Sequence, residues 1–324
     1  MKAVIYEQYG KPPDVLRVAE CEPERPGPGM IRVAKIIAPI NPADLNTIEG
    51  SYPIRPSRFP AIPGVEGVGI VAESQAEGFT PGMAVILPHR YGTWREEGIL
   101  PAAGLQVVPE DLPLREVAML KINPATAWRM LHDFVPPEPG GWIIQNAANS
   151  AVGRHVIAMA RELGLHTINL VRRPEVADEL RAAGADLVIT EGESDRITAK
   201  TGGVPIRLAL NAVGGESATR MASLLAPGGT VVTYGAMSRQ AIKLPAGLLI
   251  FRDLRFRGFW ISQWYETAPA PEREAMFSRL FGLVRRGIIR TPVERVYPVA
   301  EALKAVARAM EGGRNGKILL GDSA

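Results

Sequence analysis

The chain has 324 residues, 46% of them hydrophobic and 22% charged, with a formal net charge of +3. This is the composition of an ordinary globular protein, long enough for about two domains. It excludes several classes: the weak charge without a long basic block argues against nucleic acid as a main partner, no apolar run is long enough to span a bilayer, and a lone Cys21 with four histidines at no ligand spacing leaves neither an intramolecular disulfide nor a Cys-built or HExxH zinc site.

In chain order, the first part, to about residue 115, is rich in proline and glycine, with β-type runs expected at 3–8, 16–20, 31–37, 65–73, 84–87 and 105–108. Because the first six residues already read as a strand, not as a signal peptide, a cytoplasmic protein is expected. From Trp142 the pattern changes to alternating strands and helices. Strands are expected at 142–147, 166–171, 185–190, 207–213, 230–234 and 255–260. The helices between them are expected at 151–164, 175–183, 195–201 and 216–225. Successive β-α units favour parallel strands with right-handed crossovers, hence a doubly wound, Rossmann-type sheet. A helix at 271–286 closes this region. A tail follows, with a strand at 292–296, a helix at 300–310 and a strand at 317–320; periodicity alone leaves its place open.

The first β-α turn reads Gln145-Asn146-Ala147-Ala148-Asn149-Ser150-Ala151-Val152-Gly153. Laid on G-x-G-x-x-G, its glycine positions hold Ala148, Ser150 and Gly153, so the pattern match is weak and the context carries it. A strand precedes the turn, a helix follows, small residues allow close approach, and the helix N-terminus offers free N–H groups to a pyrophosphate. A tight turn without a ligand fits the same residues. The second strand ends in Arg172-Arg173-Pro174. Where an NAD site carries an acidic residue, about 20 residues past the turn, this chain has Arg172. Two guanidiniums suit a 2′-phosphate and point to NADP, used as NADPH; a solvated basic loop is the plain alternative.

With residues 167–172 (TINLVR), this turn resembles the cofactor fingerprint of the mitochondrial-type trans-2-enoyl-CoA/ACP reductases, the zinc-independent 2-enoyl thioester reductase branch of the medium-chain dehydrogenase/reductase superfamily. Further matches run through nearly the whole chain in order: 40–46 (INPADLN), 50–53 (GSYP), 92–95 (GTWR), 122–127 (INPATA), 208–215 (LALNAVGG), 233–237 (TYGAM) and 258–264 (GFWISQW). The resemblance implies an α/β fold made of a GroES-like β-rich catalytic domain at 1–116, completed by 288–324, and a doubly wound Rossmann-type NADP-binding domain at 117–287. It also implies a cleft between the domains and a homodimer. Tyr52 matches the catalytic tyrosine. The matching cofactor positions are Asn123, Asn149, Ser150, Ala151, Val152, Arg172, Arg173, Tyr234, Gly235, Ala236, Met237, Phe259, Trp260, Ile261 and Lys317. No metal is implied, since Gly64-Val65-Glu66 stands where zinc-dependent members carry Gly-His-Glu. Two departures are visible: the family's Arg-Asp-Arg is Arg172-Arg173-Pro174 here, and Ala151 replaces a frequent glycine.

The implied reaction is reduction of the C2=C3 bond of an enoyl thioester carried on CoA or acyl carrier protein. A tyrosine, with a reference pKa of about 10, is protonated at neutral pH and suits the task of polarising the carbonyl or protonating Cα. Within the same fold an NADPH:quinone or alkenal reductase is the alternative; a non-enzymatic NADP-binding regulator is a third reading. Outside the family frame, Asn123 is equally a helix cap, Trp260 and Trp264 core filling, and Lys317 an edge lysine.

Overall fold

The computed structural model describes residues 1–22, 25–190, 192–193, 195–314 and 316–322. The chain divides into two units, one formed by Met1–Ile122 with Thr267–Ala324 and the other by Asn123–Glu266.

The second unit holds a six-stranded parallel sheet. Its strands lie in the order Leu187–Thr190, His166–Val171, Trp142–Gln145, Ile206–Asn211, Thr230–Thr233 and Arg255–Gly258. The chain winds outward from Trp142–Gln145 in one direction, then returns and winds outward in the other. This is the expected doubly wound, Rossmann-type arrangement, with its reversal between Trp142–Gln145 and Ile206–Asn211. Every residue of Trp142–Gln145 is buried, as a central parallel strand covered on both faces requires. The helix Ala151–Glu162 follows it and buries Val152, Val156, Ile157, Met159 and Ala160, the one-sided spacing of an amphipathic helix.

The first unit is β-rich. Met30–Pro39 is its longest strand and pairs antiparallel with Val68–Ser74, Gly98–Pro101 and Lys317–Leu320. Lys317–Leu320 in turn pairs parallel with Val293–Tyr297, so the tail joins the first unit. One buried cluster unites Ile31, Val33, Trp94 and Leu100 with Ile318 and Leu320.

Several elements differ from expectation. The helix Ala270–Arg285 groups with the first unit, where Arg285 Nε and Nη2 donate to Asp111 at 2.5 and 2.9 Å and Thr291 N–H donates to Glu116. The units therefore part at 122/123 and 266/267, whereas the resemblance implied divisions at 116/117 and 287/288. The strand expected from residue 65 starts at Val68. Before it, Gly64 has a φ of +109°, and a Cβ there would meet Thr93 Oγ1 at 2.3 Å; the chain is turned so that the Glu66 side chain enters the interior. The strand expected at 255–260 ends at Gly258, and Ile261–Thr267 is helical. The helix Pro42–Glu49 was not anticipated; it begins with Asn41 as N-cap and proline in its first turn and ends at Gly50, whose φ is +77°.

Candidate functional site

Open parallel sheets bind ligands beyond the carboxyl ends of their strands, where the strand order reverses. At that point in the second unit, Trp142–Gln145 runs into the turn before helix Ala151–Glu162. Ala147 takes a left-handed φ of +49°. Ser150 is the N-cap, its Oγ accepting the Gly153 N–H at 3.1 Å. A Cβ on Gly153 would stand 2.5 Å from the Ala148 carbonyl oxygen, so the helix lies on the turn with no room for a side chain. Asn149 is exposed, Ser150 and Ala151 partly so, and the Val152 side chain is buried. The turn thus presents backbone and small groups at a helix N-terminus, the setting in which N–H groups accept an anion.

Buried amides hold this edge of the sheet together. Asn146 Nδ2 donates to Asn211 Oδ1 at 2.9 Å and to Ser217 Oγ at 3.0 Å, while Asn146 Oδ1 accepts the Ala212 N–H at 2.7 Å. Asn211 Oδ1 also accepts the N–H groups of Val213 and Gly214. One strand over, Gln145 Nε2 donates to Gly153 O and to Asn169 Oδ1. The expected cofactor residues of this unit lie at neighbouring strand ends. Arg172 and Arg173 are exposed just past His166–Val171. Tyr234 through Met237 follow Thr230–Thr233, with the Tyr234 N–H on Asn211 O and the Met237 N–H on Ala212 O. Burial pushes the ionisation of the Tyr234 phenol up, and a contact with Ser150 acts the other way. Phe259 and Trp260 are half-buried and Ile261 opens a helix. Asn123, buried, opens the helix Asn123–His132, which packs on Ala151–Glu162; it is the first residue of that helix and not a cap ahead of it.

The remaining two expected residues, Tyr52 and Lys317, belong to the first unit. Tyr52 follows the helix Pro42–Glu49, and its N–H donates to Asn46 O at 3.2 Å. Lys317 is buried, and its Nζ donates to Asn41 Oδ1 at 2.5 Å. Around it lie residues that sequence reasoning did not single out. Glu66 accepts from Asn41 Nδ2 at 2.7 Å and from the Ile122 N–H at 2.9 Å. Asp44 accepts the N–H groups of Asn41 at 2.7 Å and Val65 at 2.9 Å. Lys121 Nζ donates to Leu87 O. Burial pushes Asp44 up to about 7, chiefly against the pull of its backbone N–H donors, and Lys121 down to about 7 against the pull of Glu66. Glu66 is raised and Lys317 lowered by burial, each drawn back by the other. The available signal was position: Asn41-Pro42 opens a helix, and Glu66 lies between Gly64 and Gly67 just ahead of an apolar strand. Among the described residues, no group of three or more His, Cys, Asp or Glu could hold a metal, and no helix is long and apolar enough to cross a membrane.

Comparison with known proteins finds two families in the chain. The family described as alcohol dehydrogenase GroES-like domain matches residues 27–104, and that described as zinc-binding dehydrogenase matches residues 151–275. The mitochondrial enoyl-[acyl-carrier-protein] reductase of Rattus norvegicus is 40% identical over 96% of this chain and 86% of its own length. A solved complex of Etr1p with NADP and crotonyl-CoA, Etr1p being a Candida tropicalis 2-enoyl thioester reductase, superimposes with a TM-score of 0.89 at 29% identity over 99% of each chain. A putative NADPH:quinone reductase from Bacillus thuringiensis does so with 0.90 at 27%, over 99% of this chain and 98% of its own. The expectation of a cytoplasmic protein is overturned here: similar proteins from mammals, a nematode and a plant are all named mitochondrial. The strand-like N-terminus on which it rested is simply the first strand, Lys2–Ile5.

The contact at Gly153 yields a test. With backbone on both sides, Gly153→Ala must force the turn and helix apart, an overpacking cost of about 1–3 kcal/mol. The expected outcome is a melting temperature lower by several degrees with weakened NADPH binding, followed by calorimetry and fluorescence titration. A parental melting temperature would show that the turn has slack.

Proposed function

The chain belongs to the medium-chain dehydrogenase/reductase superfamily, in its enoyl thioester reductase branch, and from that premise we propose that it reduces the C2=C3 double bond of trans-2-enoyl thioesters with NADPH, in fatty acid metabolism. The observation that carries this reading is the 40% identity to an enoyl-[acyl-carrier-protein] reductase across 96% of the chain. The NADP and crotonyl-CoA named for the Etr1p complex support the cofactor and the thioester. The carrier is CoA or acyl carrier protein.

NADPH, when bound, supplies the hydride. The N–H groups of Ala151 and Val152, with the Ser150 hydroxyl, would hold the pyrophosphate at the helix N-terminus, where Gly153 lets the helix lie against the turn. Asn149 lies beside them in the turn. Arg172 and Arg173 would hold the 2′-phosphate. Asn123, Tyr234 through Met237 and Phe259 through Ile261 complete the cofactor set at the adjoining strand and helix ends. Tyr52 is the residue that acts on substrate. Its phenol O–H donates to the thioester carbonyl, where negative charge builds as Cβ is reduced, or delivers the proton to Cα.

The assembly is a homodimer in this reading. Arg255–Gly258 lies at the edge of the parallel sheet, and just before it Ile250 and Phe251 are 70% and 83% exposed. A bare edge beside large apolar side chains invites pairing, and a second copy of this chain offers the same surface in return.

Three outcomes are expected. With NADPH and crotonyl-CoA the product is butyryl-CoA, and Tyr52→Phe lowers kcat by about 10²–10³ with little change in NADPH affinity. Fast quinone reduction with negligible crotonyl-CoA turnover would overturn the substrate, and a parental rate for the variant would overturn the role of Tyr52. Replacing Arg172 and Arg173 together by alanine weakens NADPH roughly tenfold to hundredfold, from lost charge-assisted bonds, and leaves NADH nearly unchanged in fluorescence titration. Ile250→Glu with Phe251→Glu shifts the species seen by analytical ultracentrifugation from dimer to monomer; a dimer that persists places the interface elsewhere.

A further inference from the structure

Tyr52 is held by backbone, and that backbone hangs on one short helix. The N–H groups of Ser51 and Tyr52 both donate to Asn46 O, at 3.0 and 3.2 Å, in the last turns of Pro42–Glu49. The other end of this helix is fastened by charge. Asn41, its N-cap, lies between two ionisable groups: its Oδ1 takes a hydrogen bond from Lys317 Nζ and its Nδ2 gives one to Glu66 Oε1. The second Glu66 oxygen is held by the Ile122 N–H, and Thr93 Oγ1 donates to the Glu66 carbonyl. Asp44, in the first turn, ties the Asn41 and Val65 N–H groups together. Lys317 is itself fixed by the sheet: its N–H donates to Pro292 O, and the next residue, Ile318, receives the Ile40 N–H on its carbonyl.

Opposite charges buried on either side of an amide are a poor source of stability, because desolvation offsets most of their attraction. Their geometry is the more telling property. The eight residues of Pro42–Glu49 span about 12 Å, so a tilt of roughly 5° at Asn41 moves the far end by about 1 Å, a displacement that can cost on the order of 10²-fold in rate. We propose that Lys317, Glu66 and Asn41 form a positioning device that sets the angle of the Pro42–Glu49 helix and thereby places Tyr52 for the reaction. This rests on the reading of Tyr52 given above. It assigns Lys317 to the support of Tyr52, where the family resemblance had it touching the cofactor.

The test is a double-mutant cycle. Lys317→Met and Glu66→Gln are made in the parent and in Tyr52→Phe, with folding checked by circular dichroism. NADPH dissociation constants are measured beside kcat and the KM for crotonyl-CoA. The expected result is a fall of about tenfold or more in kcat for each substitution in the parent, with NADPH affinity within about threefold. In the Tyr52→Phe background the same substitutions change kcat by less than about twofold, because what they disturb is no longer used. Restoring the cation with Lys317→Arg recovers part of kcat in the parent only. Equal losses in both backgrounds would overturn the proposal, as would a loss of NADPH affinity with kcat intact at saturating cofactor, which places Lys317 on the cofactor instead. If Lys317→Met does not fold, Glu66→Gln and Asn41→Ala carry the same expectation through the same cycle. A parental rate for Tyr52→Phe alone would sink the role of Tyr52 and this proposal with it. A Tyr52→Phe defect with additive losses sinks this proposal only.

Discussion

A polar group taken out of water must find a partner inside the protein or carry the full cost of its lost hydration. Both units meet this demand where their regular ladders stop. At the ends of the parallel strands the backbone leaves the sheet and its N–H and C=O groups lose their neighbours. There the Asn146 and Asn211 side chains take over, accepting the N–H groups of Ala212, Val213 and Gly214 and bonding to each other across the reversal in strand order. The loops that leave these two central strands are thus tied to one another. In the first unit the same role falls to charged groups, Glu66 and Asp44 accepting N–H bonds from Ile122, Asn41 and Val65.

The two solutions differ in kind. An amide carries its donor and acceptor together and stays neutral, so the network around Asn146 depends little on anything outside it. A carboxylate accepts strongly but must be compensated. Asp44 and Glu66 accordingly share the interior with the ammonium groups of Lys121 and Lys317. Burial presses all four toward their neutral forms, and the opposite charges resist it. Removing a single member leaves another uncompensated, which is more disruptive than the modest net worth of the cluster suggests.

What the sequence displayed was what periodicity and local chemistry can carry. Apolar runs bounded by glycine located the strands of the parallel sheet, and Ser150 followed by a one-sided apolar pattern located the helix Ala151–Glu162. Arg172 and Arg173 could be proposed from the sequence because a charge at a known distance from a turn has meaning without tertiary contacts. Tyr52 could be proposed only through resemblance; nothing local distinguishes it from a loop aromatic. The helix Pro42–Glu49 went unread although Asn41-Pro42 is a sound start signal, because eight residues of mixed polarity leave the apolar pattern too short to register. The buried cluster was out of reach for a different reason. Asn41, Glu66, Lys121 and Lys317 are far apart along the chain, and each alone looks like a surface residue. The helix Ala270–Arg285 was read as closing the parallel-sheet region because it follows it along the chain, and the pairing of Arg285 with Asp111 has no signature in either segment.

The placement of Lys317–Leu320 beside Met30–Pro39 sets an order of events during synthesis. Residues 123–266 are one continuous stretch and can close their sheet as soon as they have left the ribosome. The first unit cannot, because a strand near the N-terminus must wait for one made almost three hundred residues later. Until then the Ala38–Pro39 end of that strand lacks its pairing partner, and the apolar cluster around Ile31 and Val33 lacks Ile318 and Leu320, an incompleteness that invites stray pairing. The strand Lys317–Leu320 also delivers Lys317, so the charge that neighbours Glu66 is made only after the whole of the second unit. A half-made chain therefore carries a complete second unit and a first unit that still lacks part of its core.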